Sequence, residues 1–429
     1  MAVSAIALTS VNSAFAADPI TILINNSPWY GGFEALVEKY EAETGNKVNI
    51  DRTPYSGVLE KVRNSVRGDT SPYDLVNLDN GWIIEFYSGG FLTPLTNIDP
   101  DFKLSDEIID NGEAIYWNSE KQWPTKEGGK LMAFSPNGNA HMWYYRSDLI
   151  DTPPATYKDI LKNCAANHNP PNTYGAVLRG ERGNPIRFSF MPHMLTHGGS
   201  ILKDPKNGDF TITFNSPENL KALNMFLKIH NECSADNPGA IGQGEMIQLV
   251  LSGKAAQAGI VIAAQAQMDN PEKSAVVGKI NYAQMPYLEG GSPHGVFGSW
   301  QMAVPNNISD GRKTAALEFI KYFISEKAQT LYAEAGGIPI HTGVLRGPLA
   351  TQEKFRWMKP YAAVAENATQ VLMYKEGAEV EQIIGLRLNQ ALIGELTASE
   401  ALNVAAKEIY NVLAAAGRDT KLGNSLMIK

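Results

Sequence analysis

Four things are scarce in this 429-residue chain, and each scarcity narrows what the chain can be. Beyond the N-terminus no run approaches the ~18 apolar residues of a membrane span. No block of one charge sign occurs: 37 Lys and Arg are interspersed with 45 Asp and Glu, for a net charge of −8. That distribution argues against nucleic acid or an anionic membrane as the main partner and favours a neutral or modestly charged small ligand. Catalytic signatures are missing too, with no Gly-x-Ser-x-Gly elbow, no phosphate loop ending in Lys-Ser/Thr and no His-Glu-x-x-His. The nearest dinucleotide look-alike, Gly242-Gln243-Gly244, lacks its third glycine and follows no strand. His193 and His197 stand four apart but have no adjacent glutamate and no evident third ligand for zinc. Asp204, Asn207 and Asp209 are better explained by an Asn-Gly turn between two strands than by a calcium loop. No cofactor is expected. Finally, there are only two cysteines, Cys164 and Cys233, each near the end of a predicted helix. In an oxidising compartment a bridge between them would close a long loop for about 4 kcal/mol, and two separate buried thiols are the alternative.

What is present is the composition of a soluble globular protein, 44% hydrophobic and 19% charged, at a length that suits two lobes of roughly 150 to 200 residues. The first residues contain an apolar run followed by Ala14-Phe15-Ala16, the kind of site cut by signal peptidase, so residues 1–16 are expected to be a signal peptide. A basic n-region is missing, and no Leu-x-x-Cys lipobox precedes the cleavage point, which favours a periplasmic protein over a lipoprotein. The following segment alternates regularly. Ile20 to Ile24 reads as a buried strand, Phe33, Leu36, Val37 and Tyr40 as a helical stripe, and Val48 to Ile50 as a second strand. Val58, Leu59, Val62 and Val66 make a second stripe, and Asp74 to Leu78 a third strand. Such a βαβαβ order implies a parallel sheet covered on both faces, with ligands beyond the carboxyl ends of the strands. The residues at those ends are Asn25 to Tyr30, and Asp79, Asn80 and Trp82.

A second lobe is expected to begin at the polar loop Asn137 to His141, which leads into the aromatic strand Met142 to Tyr145. The chain is then expected to return to the first lobe near Ile280 to Pro286. This assigns residues 17–136 and about 275–335 to lobe 1, and 137–274 and about 336–429 to lobe 2. The richest segment is Phe297 to Val344: a short apolar strand, one long amphipathic helix from Thr314 to Ala335 and a Gly-Gly hinge. Trp300 sits at the mouth of that strand, where an indole offers a flat apolar face, and Gly298 lets the backbone come close.

Several segments resemble the extracellular solute-binding proteins of ABC sugar importers, the cluster that includes maltose-, trehalose- and polyol-binding members. They are YDLVNLDNGWIIEFYSGGFLTPL, MWYYRSDLI with PPATYKDIL, HGGSIL with SPENLKALNMFL, LSGKAAQAG, DNPEKSAVVGKINYAQMP, GSWQMAVP through GGIPIH, and ALIGELTASEALNVAAKEIYNVL. The resemblance implies a two-lobed α/β periplasmic-binding-protein fold, its lobes joined by several crossover strands, that closes on a sugar or sugar alcohol. It also implies docking on the transmembrane subunits of an ABC permease, as a monomer. On this resemblance Asp79 matches the acid that accepts hydroxyl hydrogens, Trp300 with Gly298 the stacking indole and its glycine, and Tyr144 or Tyr145 the strand aromatic. The sequence departs at His341 and at Ile260-Val261-Ile262, which lacks a tryptophan often present there.

A sugar or polyol site needs planar acceptors and donors for vicinal hydroxyls and aromatic faces for C–H faces. The substrate-binding candidates are therefore Trp29, Tyr30, Asp79, Asn80, Asn139, His141, Tyr145, Arg182, Gly298, Trp300 and Arg346. Competing structural roles are helix capping for Asp79 and Asn80, loop packing for Trp29 and Tyr30, a hydrogen-bonded structural imidazole for His141 and solvated surface for the two arginines. Trp82 reads as helix-face core. Two rival readings are the same architecture binding a polyamine or ferric ion, and an exported carbohydrate enzyme, which needs a second carboxylate opposite Asp79.

Overall fold

A computed structural model describes residues 19–423, so the expected signal peptide lies outside the described residues. The alternation read at the start of the chain is present as β1 (Ile20–Asn25), α1 (Tyr30–Thr44), β2 (Val48–Thr53), α2 (Tyr55–Arg67) and β3 (Leu75–Asp79). β1 pairs in parallel with both β2 and β3 and is thus an interior strand, and five of its six residues are buried, so it has no need of polar alternation. Phe33, Leu36, Val37 and Tyr40 are the buried stripe of α1, which ends at Gly45 in the left-handed conformation.

β4 (His141–Arg146) begins a second sheet. It is followed by α3 (Tyr157–Asn167), α4 (Asn184–Thr196), α5 (Pro217–Cys233), β5 (Gln257–Val261) and β6 (Ile280–Ala283). β4 is the centre of an antiparallel sheet between β5 and β6, with Tyr144 opposite both Ala258 and Tyr282. This corrects one expectation. Ile280–Ala283 does not return to the first sheet; its Tyr282 packs edge-on against Tyr144 at 4.7 Å, and Arg356 donates to the carbonyl of Ile280. The expected Asn207-Gly208 turn joins two short antiparallel strands, with Gly208 at φ 84°. Cys164 and Cys233 are bonded, tying α3 to α5 with Cα atoms 5.6 Å apart.

The chain re-enters the first sheet at β7 (Trp300–Pro305), which lies antiparallel to β3 and also pairs with Leu92–Thr93 and Ala133–Phe134. The single long helix expected next is two, α6 (Asp310–Phe323) and α7 (Glu326–Glu334), because the Ser325 hydroxyl accepts from the N–H of Ala328 and starts a new helix. Gly336 has φ 91°, and a Cβ on Gly337 would lie 2.1 Å from the Tyr332 ring, so this pair needs both glycines. α8 (Gly377–Leu392) packs on α4, and α9 (Ala398–Ala415), started by a Thr397–Glu400 capping box, packs on α8. No helix of the described residues is long and apolar enough to cross a membrane.

The strands passing between the lobes run side by side. Ala140 bridges to Phe297 and Val296 to Thr369, while the N–H of Ile262 donates to the carbonyl of Ala140. The Asn139 side chain binds two of these crossings at once, accepting from Ala263 N–H at 3.1 Å and donating to the Gly298 carbonyl at 3.1 Å.

Two predictions follow from the second lobe's core. Replacing both cysteines by serine should lower stability by about 4 kcal/mol in the chain-entropy account, with an unchanged far-UV spectrum at 20 °C; urea unfolding measures it, and an unshifted midpoint would show that the bridge contributes nothing. The second concerns His193 and His230, which are buried around Phe226 with no partner on either ring nitrogen, and His193 stacks on Tyr157. Burial lowers both pKa values to about 3. The unfolded value is about 6.5, so the stability these neutral rings contribute is complete above pH 6.5 and drains away as pH falls toward 3. At pH 5 the loss is about 2 kcal/mol for each ring. Urea midpoints at pH 7.5 and pH 5 test this, and equal values would contradict it.

Candidate functional site

The carboxyl edge of the first sheet and the start of α4 face each other across a cavity of about 630 Å³, within the range of small-molecule sites. Its first wall follows from the parallel sheet. Asn25 to Trp29 leave β1, Tyr55 starts α2 after β2, and Asp79 to Gly81 leave β3. Because β7 runs antiparallel to β3, its first residue arrives at the same edge, and Trp300 is the cross-strand partner of Asp79. The Trp300 indole meets Trp82 at 5.6 Å and Tyr55 at 5.8 Å, both nearly perpendicular, so its plane is set by two other rings. One oxygen of Asp79 accepts from Gly81 N–H at 3.0 Å. Burial raises the Asp79 pKa, and the charge of Arg187 across the cavity opposes that.

The second wall is cationic. Behind Gly183, whose φ is 92°, α4 begins with Asn184 and Pro185 and presents Arg187 and Phe188. Arg187 is buried and bonded to Glu381 of α8; Asn184 also donates to Glu381, at 2.7 Å, and reaches the Tyr55 hydroxyl of the opposite wall at 3.4 Å. Arg179 is buried beside them, with its guanidinium 5.0 Å from the Phe188 ring centre. Phe188 is stacked on its other neighbour, His141, at 4.4 Å. A Cβ on Gly298 would stand 2.9 Å from the Phe188 ring and 3.1 Å from the Asn139 amide nitrogen, so glycine permits the close approach of these two side chains.

Trp29, Asp79, Asn80, Asn139, Arg182, Gly298 and Trp300 all line this one cavity. Asn80 is already engaged, accepting from Gln301 at 2.9 Å, and both ends of the Asn139 amide are committed to backbone. Four other candidates lie outside the lining. Tyr30 is one helical step past Trp29, and its ring lies under Arg52 at 4.2 Å. His141 sits behind Phe188, where its Nε2 meets Arg179 at 3.4 Å; burial and the arginine charge hold it neutral. Tyr145 points from β4 to the face opposite Tyr144, into a small cluster with Ile150 and Ala256, and Tyr144 itself donates to the carbonyl of Val261. Arg346 pairs with Glu366 at the surface.

The lining also contains residues that the sequence reading passed over: Tyr55, Arg179, Glu181, Asn184, Arg187 and Phe188. The strand-end rule that selected Asn25 to Tyr30 applies equally to Tyr55, at the end of β2. Arg179 ends an extended segment that bridges in parallel to β5 at Val177, so the buried arginine of LRGER is the first, not the second. Arg187 carries no such sign, because a charged residue in a helix normally reads as solvated.

The model of the family described as "Bacterial extracellular solute-binding protein" matches residues 25–330, well over half of the chain. A Deinococcus radiodurans protein named "Probable ABC transporter-binding protein" is 26% identical over 212 residues, 47% of this chain and 49% of that protein, so the match spans about half of the relative's length. An ABC transporter solute-binding protein of Agrobacterium radiobacter K84, solved with ribitol, superposes with a TM-score of 0.80 at 25% identity, covering 92% of this chain and 99% of the other. A maltose-bound protein of T. maritima gives 0.80 at 21% identity over 92% and 100%. A solute-binding protein of Agrobacterium vitis S4 with D-mannitol gives 0.74 at 20% over 94% and 100%. The two-lobed fold is common to this chain and the three solved structures.

The packing under Gly298 generates a prediction. Gly298→Ala should push the Phe188 ring from its place between His141 and the two arginines, at a cost of about 1–3 kcal/mol. Urea unfolding of the variant measures that cost, and an unchanged midpoint would mean that the ring yields freely.

Proposed function

The chain belongs to the bacterial extracellular solute-binding protein family, and we propose that it captures a sugar or sugar alcohol in the periplasm and hands it, unaltered, to the transmembrane subunits of an ABC importer. One observation carries the reading: Asp79 and Trp300, cross-strand partners at one sheet edge, line the same cavity as Arg179, Arg187 and Phe188. Ionised Asp79 accepts hydrogen bonds from hydroxyls, the guanidinium groups donate to them, and the ring edges and faces take the C–H surface. The ribitol held by the Agrobacterium radiobacter protein is consistent with such a ligand. Closure of the lobes removes water and strengthens these bonds, and a permease that reads the closed state completes delivery. The protein acts as a monomer in this scheme. Residues 17–136 with β7 to α7 are proposed as one lobe, and 137–283 with α8 and α9 as the other.

Glu181 shares the cavity with Asp79 and supplies the second carboxylate that an exported carbohydrate enzyme would need. A calorimetric panel of sugars and polyols, with spermidine and ferric ion beside them, tests the reading together with a glycoside-hydrolysis assay. Binding of at least one sugar or polyol, weakened about 10- to 100-fold by Asp79→Asn as expected for a bond to a charged acceptor, supports it. Binding confined to the cations, or glycoside turnover lost in Asp79→Asn, overturns it.

A further inference from the structure

The charge balance inside the cleft narrows the class of ligand, and the argument rests on the reading just given. Buried charges in proteins are met by counter-charges, because leaving one bare costs several kcal/mol. Arg187 obeys this rule through its bond to Glu381 and the nearby charge of Asp79. Arg179 does not. Its side chain is only 3% exposed, yet among the described residues it has no carboxylate within ion-pair distance. Its Nε donates to Ser189 Oγ at 3.2 Å, one terminal nitrogen to Gln243 Oε1 at 3.1 Å and the other meets His141 Nε2 at 3.4 Å. All three partners are neutral, and a guanidinium has five N–H groups, so two remain.

The surroundings aggravate the excess. Burial and the repulsion of Arg187, opposed by the weaker attraction of Glu181, lower the Arg179 pKa to about 9, which still leaves it protonated at neutral pH. His141 is held neutral and cannot answer the charge. Glu181 offsets only part of the charge, because it faces the cavity from its exposed rim, where solvent screens it. Arg182, also at the rim, adds a further positive charge.

We infer that the ligand of this cleft is an acidic sugar derivative, a uronic or aldonic acid, whose carboxylate is held by the two free N–H groups of Arg179 while its hydroxyls meet Asp79 on the opposite wall. A planar carboxylate matches a guanidinium edge in a way that a single hydroxyl does not, and it alone removes the uncompensated charge. A doubly charged phosphate is the poorer fit, because Asp79 and Glu181 share the same space.

Titration calorimetry with matched pairs tests this on the whole protein: ribitol against D-ribonate, D-glucitol against D-gluconate, D-glucose against D-glucuronate and D-galactose against D-galacturonate. The acid of at least one pair should bind about 10- to 100-fold more tightly than its neutral partner, the range of a charge-assisted hydrogen bond. Arg179→Gln should abolish that preference, weakening the acid by more than it weakens the neutral partner. If the variant does not fold, the wild-type comparison decides alone. Neutral members binding as tightly as, or more tightly than, the acids in every pair overturns this inference and leaves the sugar reading intact. Binding of no member of any pair also overturns this inference, while the sugar reading stands or falls with the wider panel.

Discussion

The insertion of β7 beside β3 is the constraint on which the cleft depends. A chain that has already built most of a second lobe returns to place Trp300 opposite Asp79 in the middle of the first sheet. Its antiparallel sense brings an N-terminal strand residue to the edge where the parallel strands release their C-terminal ones. Without that reversal the indole would emerge at the far side of the sheet. The crossings that lead into this strand tie the lobes together through the Ala140–Phe297 and Val296–Thr369 bridges, so they can tilt but not part.

Given that frame, electrostatics explains the composition of the walls. Asp79 and Arg187 face each other across the cavity, and the charge of each favours the charged form of the other against the opposing pull of desolvation. Glu381 then fixes Arg187 from behind and, through Asn184, fixes the start of α4. The acid and the base are thus oriented before any ligand arrives, which lowers the ordering cost of binding. Trp300 is treated in the same way, since Tyr55 and Trp82 hold its plane from two sides.

The sequence disclosed what local periodicity and turn chemistry encode. The strand of Ile20 to Ile24, the stripe of Phe33, Leu36, Val37 and Tyr40, and the turn at Asn207-Gly208 all rest on neighbours within one or two turns of chain. The break at Ser325 was legible on the same terms, as a serine followed by an acidic residue inside a helical pattern. What escaped was decided by distant partners. Ile280 to Ala283 has the same pattern in either sheet, and only its pairing with β4 assigns it. Arg187 reads as surface until Glu381, far along the chain, is placed behind it. Asn139 was recognised as standing at the crossover, but that both ends of its amide would be used by Ala263 and Gly298 is a fact of three strands meeting.

That use of Asn139 bears on how the cleft moves. A hinge must absorb rotation in a few backbone torsions while its own hydrogen bonds persist, since an unmet amide in a buried crossing would cost about 1–3 kcal/mol. Asn139 bonds main-chain groups of two neighbouring crossings, and Ser299 adds a bond to its carbonyl at 2.8 Å. The crossings are therefore bound into one ribbon, and rotation of one carries the others with it. Asn184 and Tyr55 touch across the gap at 3.4 Å. On the proposed reading, a ligand held between Asp79 and the arginines would set the tilt of the lobes about these bound crossings.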